Sequence, residues 1–132
     1  MQWEIRVTNV TVGDLPEDSA AFYYVSFEVG EDMPVNTAVT HLMQPKLIQF
    51  HGESVIKVRD ASLDNDVRIT VKDMQTFGSR SICEVYIRPD HLIDWAVRPG
   101  GSTMRFEMKP CNGSLNVLPA WILLSVELCR PW

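Results

Sequence analysis

The sequence predicts an all-β protein, an eight-stranded antiparallel β-sandwich with one short helix, forming a single domain over residues 1–132. Three observations predict it. Apolar residues recur with period two in run after run, which gives each strand one buried face and one solvated face. The runs are short and separated by Gly, Pro, Asn and Asp, the residues that tight turns demand. A length of 132 residues with 45% hydrophobic and 22% charged side chains suits one hydrophobic core and leaves no room for a second.

Taken in order, Trp3, Ile5 and Val7 alternate with Glu4, Arg6 and Thr8. The phase then slips at Asn9 to Val10 and Val12, as a bulge causes, and this is the first strand. Residues 13–21 read as a loop, and Tyr23, Val25, Phe27 and Val29 alternate with polar partners as the second strand. A turn at 30–34 leads to a β-branched run, Thr37 to Leu42, read as the third. After Gln44-Pro45 come the apolar loop residues Leu47, Ile48 and Phe50, then a fourth strand from Ser54 to Arg59. Asp60 to Asp66 is a polar loop, and Val67, Ile69 and Val71 alternate with Arg68, Thr70 and Lys72 as the fifth strand. Residues 73–81 read as the loop to a sixth strand, Ile82 to Ile87. Pro89 to Val97 has helical spacing, with Leu92, Ile93, Ala96 and Val97 on one side and Pro at the first turn. Gly100-Gly101 ends it; Met104, Phe106 and Met108 make the seventh strand and Ala120 to Leu128 the eighth, apolar enough on both faces to be central.

Composition narrows the function. A formal net charge of −5 argues against a nucleic-acid partner, which needs Lys and Arg to neutralise phosphates. The most apolar stretch, Leu118 to Val126, is far shorter than the roughly 20 residues of a spanning helix. The opening residues alternate instead of forming the apolar core of a secretion signal, and Cys83, Cys111 and Cys129 are an odd number set far apart. Reduced thiols in a cytoplasmic setting are therefore expected, and the N-x-S/T sequences at Asn9 and Asn112 are read as coincidence. His41, His51 and His91 lack metal-ligand spacing, and neither a phosphate cradle nor a nucleophile elbow is present, so no enzyme activity and no small-molecule substrate are expected.

Three stretches resemble the C2-domain family: Trp3-Glu-Ile-Arg-Val-Thr-Asn-Val10 followed by an acidic loop and Phe22-Tyr23-Tyr24-Val25; residues 67–87; and Trp121 to Leu128. The middle stretch carries most of the likeness: an alternating strand ending in Asp73, a Phe77-Gly78-Ser79 tip, and a second alternating strand in which Cys83 stands where the family has Gly. Beginning and ending on these strands resembles the family's second, circularly permuted topology. The resemblance implies a domain that docks onto membrane phospholipid or onto a protein, in some members through calcium held by loop carboxylates. Asp14, Asp18 and Asp73 match calcium-loop positions, but Gln75 replaces one acid and Arg80 and Ser81 fall where the later acidic pair belongs. Calcium takes six to eight oxygens, mostly anionic, so this degenerate set is expected not to function as a calcium site, and Arg80 is expected to pair with Asp73 or Asp18.

If the topology holds, one end of the sandwich gathers four loops carrying Leu15, then Leu47, Ile48 and Phe50, then Met74 and Phe77, then Leu115, Val117 and Leu118, with Lys46, Arg80 and Lys109 close by. Met74, Phe77, Arg80, Leu47, Phe50 and Lys46 are the candidates for contact with a membrane or a partner, since apolar tips enter an interface while cations meet phosphates. Tyr24, Arg68 and Lys72, on outward strand faces, are the candidates if the partner is a protein on a sheet face. Asp60, Asp64 and Asp66 are read as a solvated turn at the opposite end, and Arg130-Pro131-Trp132 as a cover for the base of the sandwich.

Overall fold

The computed structural model describes residues 2–15, 22–41, 47–60, 63–111 and 119–129. Its strands are β1 (Gln2–Gly13), β2 (Tyr23–Val29), β3 (Val35–Asn36), β4 (Leu47–Gln49), β5 (Ser54–Arg59), β6 (Val67–Met74), β7 (Ser79–Ile87), β8 (Ser102–Pro110) and β9 (Ala120–Leu128), with α1 (Pro89–Ala96) between β7 and β8. Pairing is antiparallel throughout, in the order β3-β2-β6-β7-β8-β9-β1-β4, and β5 also pairs with β1. Because β4 and β5 lie end to end along the same edge of β1, the two sheets are together eight strands wide. The sheets are β3-β2-β6-β7 and β8-β9-β1 with β4 and β5, joined by the short β7–β8 pairing at Cys83–Pro110 and Glu84–Lys109.

Alternation sets which face is inside. Ile5, Val7, Val25, Phe27, Ile56, Val58, Ile69, Val71, Ile122 and Leu124 all fill the space between the sheets. The slip expected in the first strand is a bulge: the β1–β9 register shifts between Thr8 and Thr11, and Asn9 adopts φ 54°. The helix forms where expected, starting at Pro89, with Leu92 and Ala96 buried; Val97 is its exposed C-cap and leaves the predicted apolar side.

Three segments differ from the sequence reading. The third strand is Val35–Asn36, with a single further bridge from Thr40 to Tyr23, in place of Thr37 to Leu42; Leu42 lies outside the described residues. Between them the Thr37 hydroxyl accepts the Val25 N–H at 2.9 Å, standing in for a ladder carbonyl, which an edge segment tolerates. Leu47–Gln49, read as loop, is β4, and the ends of β6 and β7 extend through Asp73, Met74, Ser79 and Arg80, so that only residues 75–78 remain as the hairpin tip.

Cys83 sits in this core, its Sγ 3.8 Å from Met108 Sδ. Burial, with lesser contributions from Cys111 and Glu84, pushes its thiol from 9.0 up to about 12. Below the unfolded value both states keep the proton. Between about 9 and about 12 the unfolded chain releases it and the folded chain does not, so stability falls as pH rises through that window, by about 1.4 kcal/mol per pH unit. Urea unfolding at about pH 8 and about pH 11 should show this loss in the native chain and a shallower one in Cys83→Ala.

Candidate functional site

The strand directions bring four connections to one end of the sandwich: β1 to β2, the approach to β4, the β6–β7 hairpin, and β8 to β9. The β5–β6 connection with Asp60, Asp64 and Asp66 lies at the other end, as the sequence implied. Among the described residues at the four-loop end is the whole β6–β7 hairpin. Phe77 at its tip is 95% exposed and Met74 46% exposed. Gly78 turns the chain with φ 85°, and the Gln75 N–H donates to the Gly78 carbonyl at 3.0 Å, closing the tip.

Beneath the tip, Asp73 pairs in register with both Tyr23 and Arg80 and is fully buried. Arg80, half exposed, donates to Asp73 Oδ2 from Nη2 at 2.8 Å and from Nε at 3.2 Å. The other carboxylate oxygen, Oδ1, has no hydrogen-bond partner among the described residues. Asp14 follows β1 with φ 54°, and its Oδ2 accepts the Trp121 indole N–H at 3.2 Å. That indole lies over Gly13, where an added Cβ would overlap it, and carries the Arg105 guanidinium 4.6 Å from its ring centre. Asp14 thus fixes a tryptophan on the outer face of the β8-β9-β1 sheet. Among the described residues no three His, Cys, Asp or Glu side chains gather as a metal cluster.

The remaining candidates divide. Phe50 is corrected: it is 2% exposed, its N–H donates to the Val10 carbonyl at 2.8 Å, and it belongs to the core, as do Leu15 and Ile48. Leu47 is half-buried opposite Gly13. Lys46, Asp18, Leu115, Val117, Leu118 and the 130–132 tail lie outside the described residues. On the outward face of β6, Arg68 is held by Glu84 at 2.6 Å and Glu28 at 3.7 Å, and the Tyr24 hydroxyl donates to Ser79 Oγ at 2.9 Å.

One residue the site reading missed is Phe22, 50% exposed, whose carbonyl accepts the Met74 N–H at 3.0 Å. It extends the β2–β6 ladder by one step, so Phe22, Met74 and Phe77 form an apolar rim across the sheet end. The signal was present, since Phe22 shares the outward parity of Tyr24 against buried Tyr23 and Val25.

No protein-family model and no curated protein sequence matches this chain. Solved structures do. A structure described as a C2 domain superposes over 97% of this chain and 99% of its own, with a TM-score of 0.64 and 17% identity. The chain has the C2-domain fold. A structure of CC2D1B, described as coordinating ESRCT-III activity during the mitotic reformation of the nuclear envelope, matches over 95% of this chain with a TM-score of 0.65 and 9% identity. The calcium-bound structure of the paired C2 domains of Extended-Synaptotagmin 2 matches over 96% with a TM-score of 0.66 and 11% identity. This C2 fold spans about half the length of those two chains, 54% and 45%. Among its described residues no helix is long and apolar enough to cross a membrane.

Proposed function

We propose that this C2 fold is a non-enzymatic, calcium-independent docking module that lays its four-loop end on an anionic membrane surface, as a peripheral cytoplasmic protein. The exposed rim of Phe22, Met74 and Phe77 is the observation that carries the reading. A phenylalanine at a hairpin tip with almost no protein contact leaves apolar area in water, and burying such a side chain is worth about 1.5–3 kcal/mol. Half-exposed Arg80 lies behind the tip, at the depth where lipid phosphates would stand.

Calcium independence is supported by the donor set. The guanidinium of Arg80 takes up Asp73 Oδ2, Gln75 brings a neutral amide, and Asp14 is committed to Trp121. These residues do not fit a cation that seeks six to eight oxygens, mostly anionic. Vesicle sedimentation in the presence of chelator tests the reading: the protein should pellet with phosphatidylserine-containing vesicles and stay in solution with pure phosphatidylcholine. Failure to pellet with any anionic vesicle would shift the assignment to a module that docks on protein.

A further inference from the structure

The sandwich is closed on one side by the β7–β8 pairing and open on the other, where β3 and β5 are the two edges. Each residue of a strand sends its N–H and C=O to the same neighbour. Glu4 accepts from Cys129 on the β9 side, so Trp3, Ile5 and Val7 face β5 and pair with Val58, Ile56 and Ser54. The N–H and C=O groups of Val55, Lys57 and Arg59 therefore point away from β1 along the free edge, and β5 pairs with no second strand among the described residues. Their side chains point to the outer face, because Ser54, Ile56 and Val58 are the buried ones. Beside this edge a recess of about 240 Å³ enters the seam between the sheets, floored by Phe27, Val29 and Val35 and flanked by Met33, which is 88% exposed. Lys57 and Arg59 stand on its rim together with one acid, Asp32.

We infer that this edge accepts an extended acidic-apolar segment of a partner protein as an added antiparallel strand. The partner's chemistry follows from register. Residues of an incoming strand that exchange hydrogen bonds with Val55, Lys57 and Arg59 place their side chains on the outer face, where carboxylates meet Lys57 and Arg59. The residues between them turn inward, to the apolar seam. The two cations also exclude apolar and basic strands from an otherwise sticky edge, so the same residues protect the free chain and select the ligand. The contact is at a sheet edge, away from the four-loop end, and stands whether or not that end binds lipid.

The probe is a synthetic Glu-Val-Glu-Val-Glu peptide with Gly-Ser flanks, titrated into the full chain and read by amide chemical shifts and hydrogen exchange. Shifts centred on β5, with new protection at the Val55, Lys57 and Arg59 amides, are expected. Lys57→Pro removes one outward N–H and spares the β1 ladder, so it should abolish binding without unfolding the sheet. Lys57→Glu combined with Arg59→Glu should weaken the peptide about tenfold or more and confer binding of the Lys-Val-Lys-Val-Lys counterpart. Binding unaffected by either variant, shifts centred away from β5, or self-association of the protein with no response to peptide would each overturn the inference.

Discussion

Replacing Met74 and Phe77 together by Glu should abolish sedimentation with anionic vesicles and leave the urea midpoint almost unchanged. Both side chains are exposed and contribute little to the core, so the folded state loses at most about 0.5 kcal/mol, the usual range of a surface change. Binding is a different matter. Withdrawing two apolar side chains from an interface forfeits about 3 kcal/mol or more, over a hundredfold in affinity, before the added negative charges repel the lipid. Phe22→Glu, one step along the same ladder, should weaken binding by a smaller factor, and Phe50→Glu should unfold the protein because Phe50 is in the core. The pairing of sedimentation with unfolding separates a docking rim from a structural one.

The second large effect is on stability. Arg80→Ala leaves the fully buried Asp73 carboxylate without the guanidinium that donates to Oδ2. Removing one partner of a buried ion pair costs about 3–5 kcal/mol, and the half-exposed position of Arg80 reduces this to about 2 kcal/mol, since water reaches the gap. Arg80→Lys should recover part of the loss, because an ammonium keeps the charge but not the two-point geometry. Replacing the pair together, Asp73→Leu with Arg80→Met, should be milder than Arg80→Ala alone, since no buried charge is then left unmatched. Chemical unfolding of the four proteins at neutral pH checks the order.

The Asp73–Arg80 pair was legible in the sequence only as one of two pairings, with Asp73 or Asp18, that the C2-like loop positions offered Arg80; the ladder that sets Asp73 and Arg80 opposite one another runs through residues read as loop. Strand parity placed the bulge at Asn9 and the buried faces of β2, β6 and β9, and helical spacing behind a proline placed the helix at Pro89. What failed lay at edges. Leu47–Gln49 is too short to show a period, and its strand identity comes from tertiary pairing with the far end of β1. Phe50 follows it inward for the same reason, so three apolar residues read as loop tips became one half-buried and two buried positions. Thr37 to Leu42 has strong β propensity, but an edge needs no continuous ladder: the Thr37 N–H donates to the Val25 carbonyl at 2.8 Å, while the Val25 N–H goes to the Thr37 hydroxyl in place of its carbonyl.

The most direct test of the whole account is vesicle sedimentation run in parallel with chelator and with saturating calcium, on the same protein and the same phosphatidylserine-containing vesicles. Equal bound fractions in the two conditions are predicted, because the Arg80 guanidinium already sits on Asp73 Oδ2 and places a positive charge where a divalent ion would have to bind. Binding that appears only when calcium is added would contradict it.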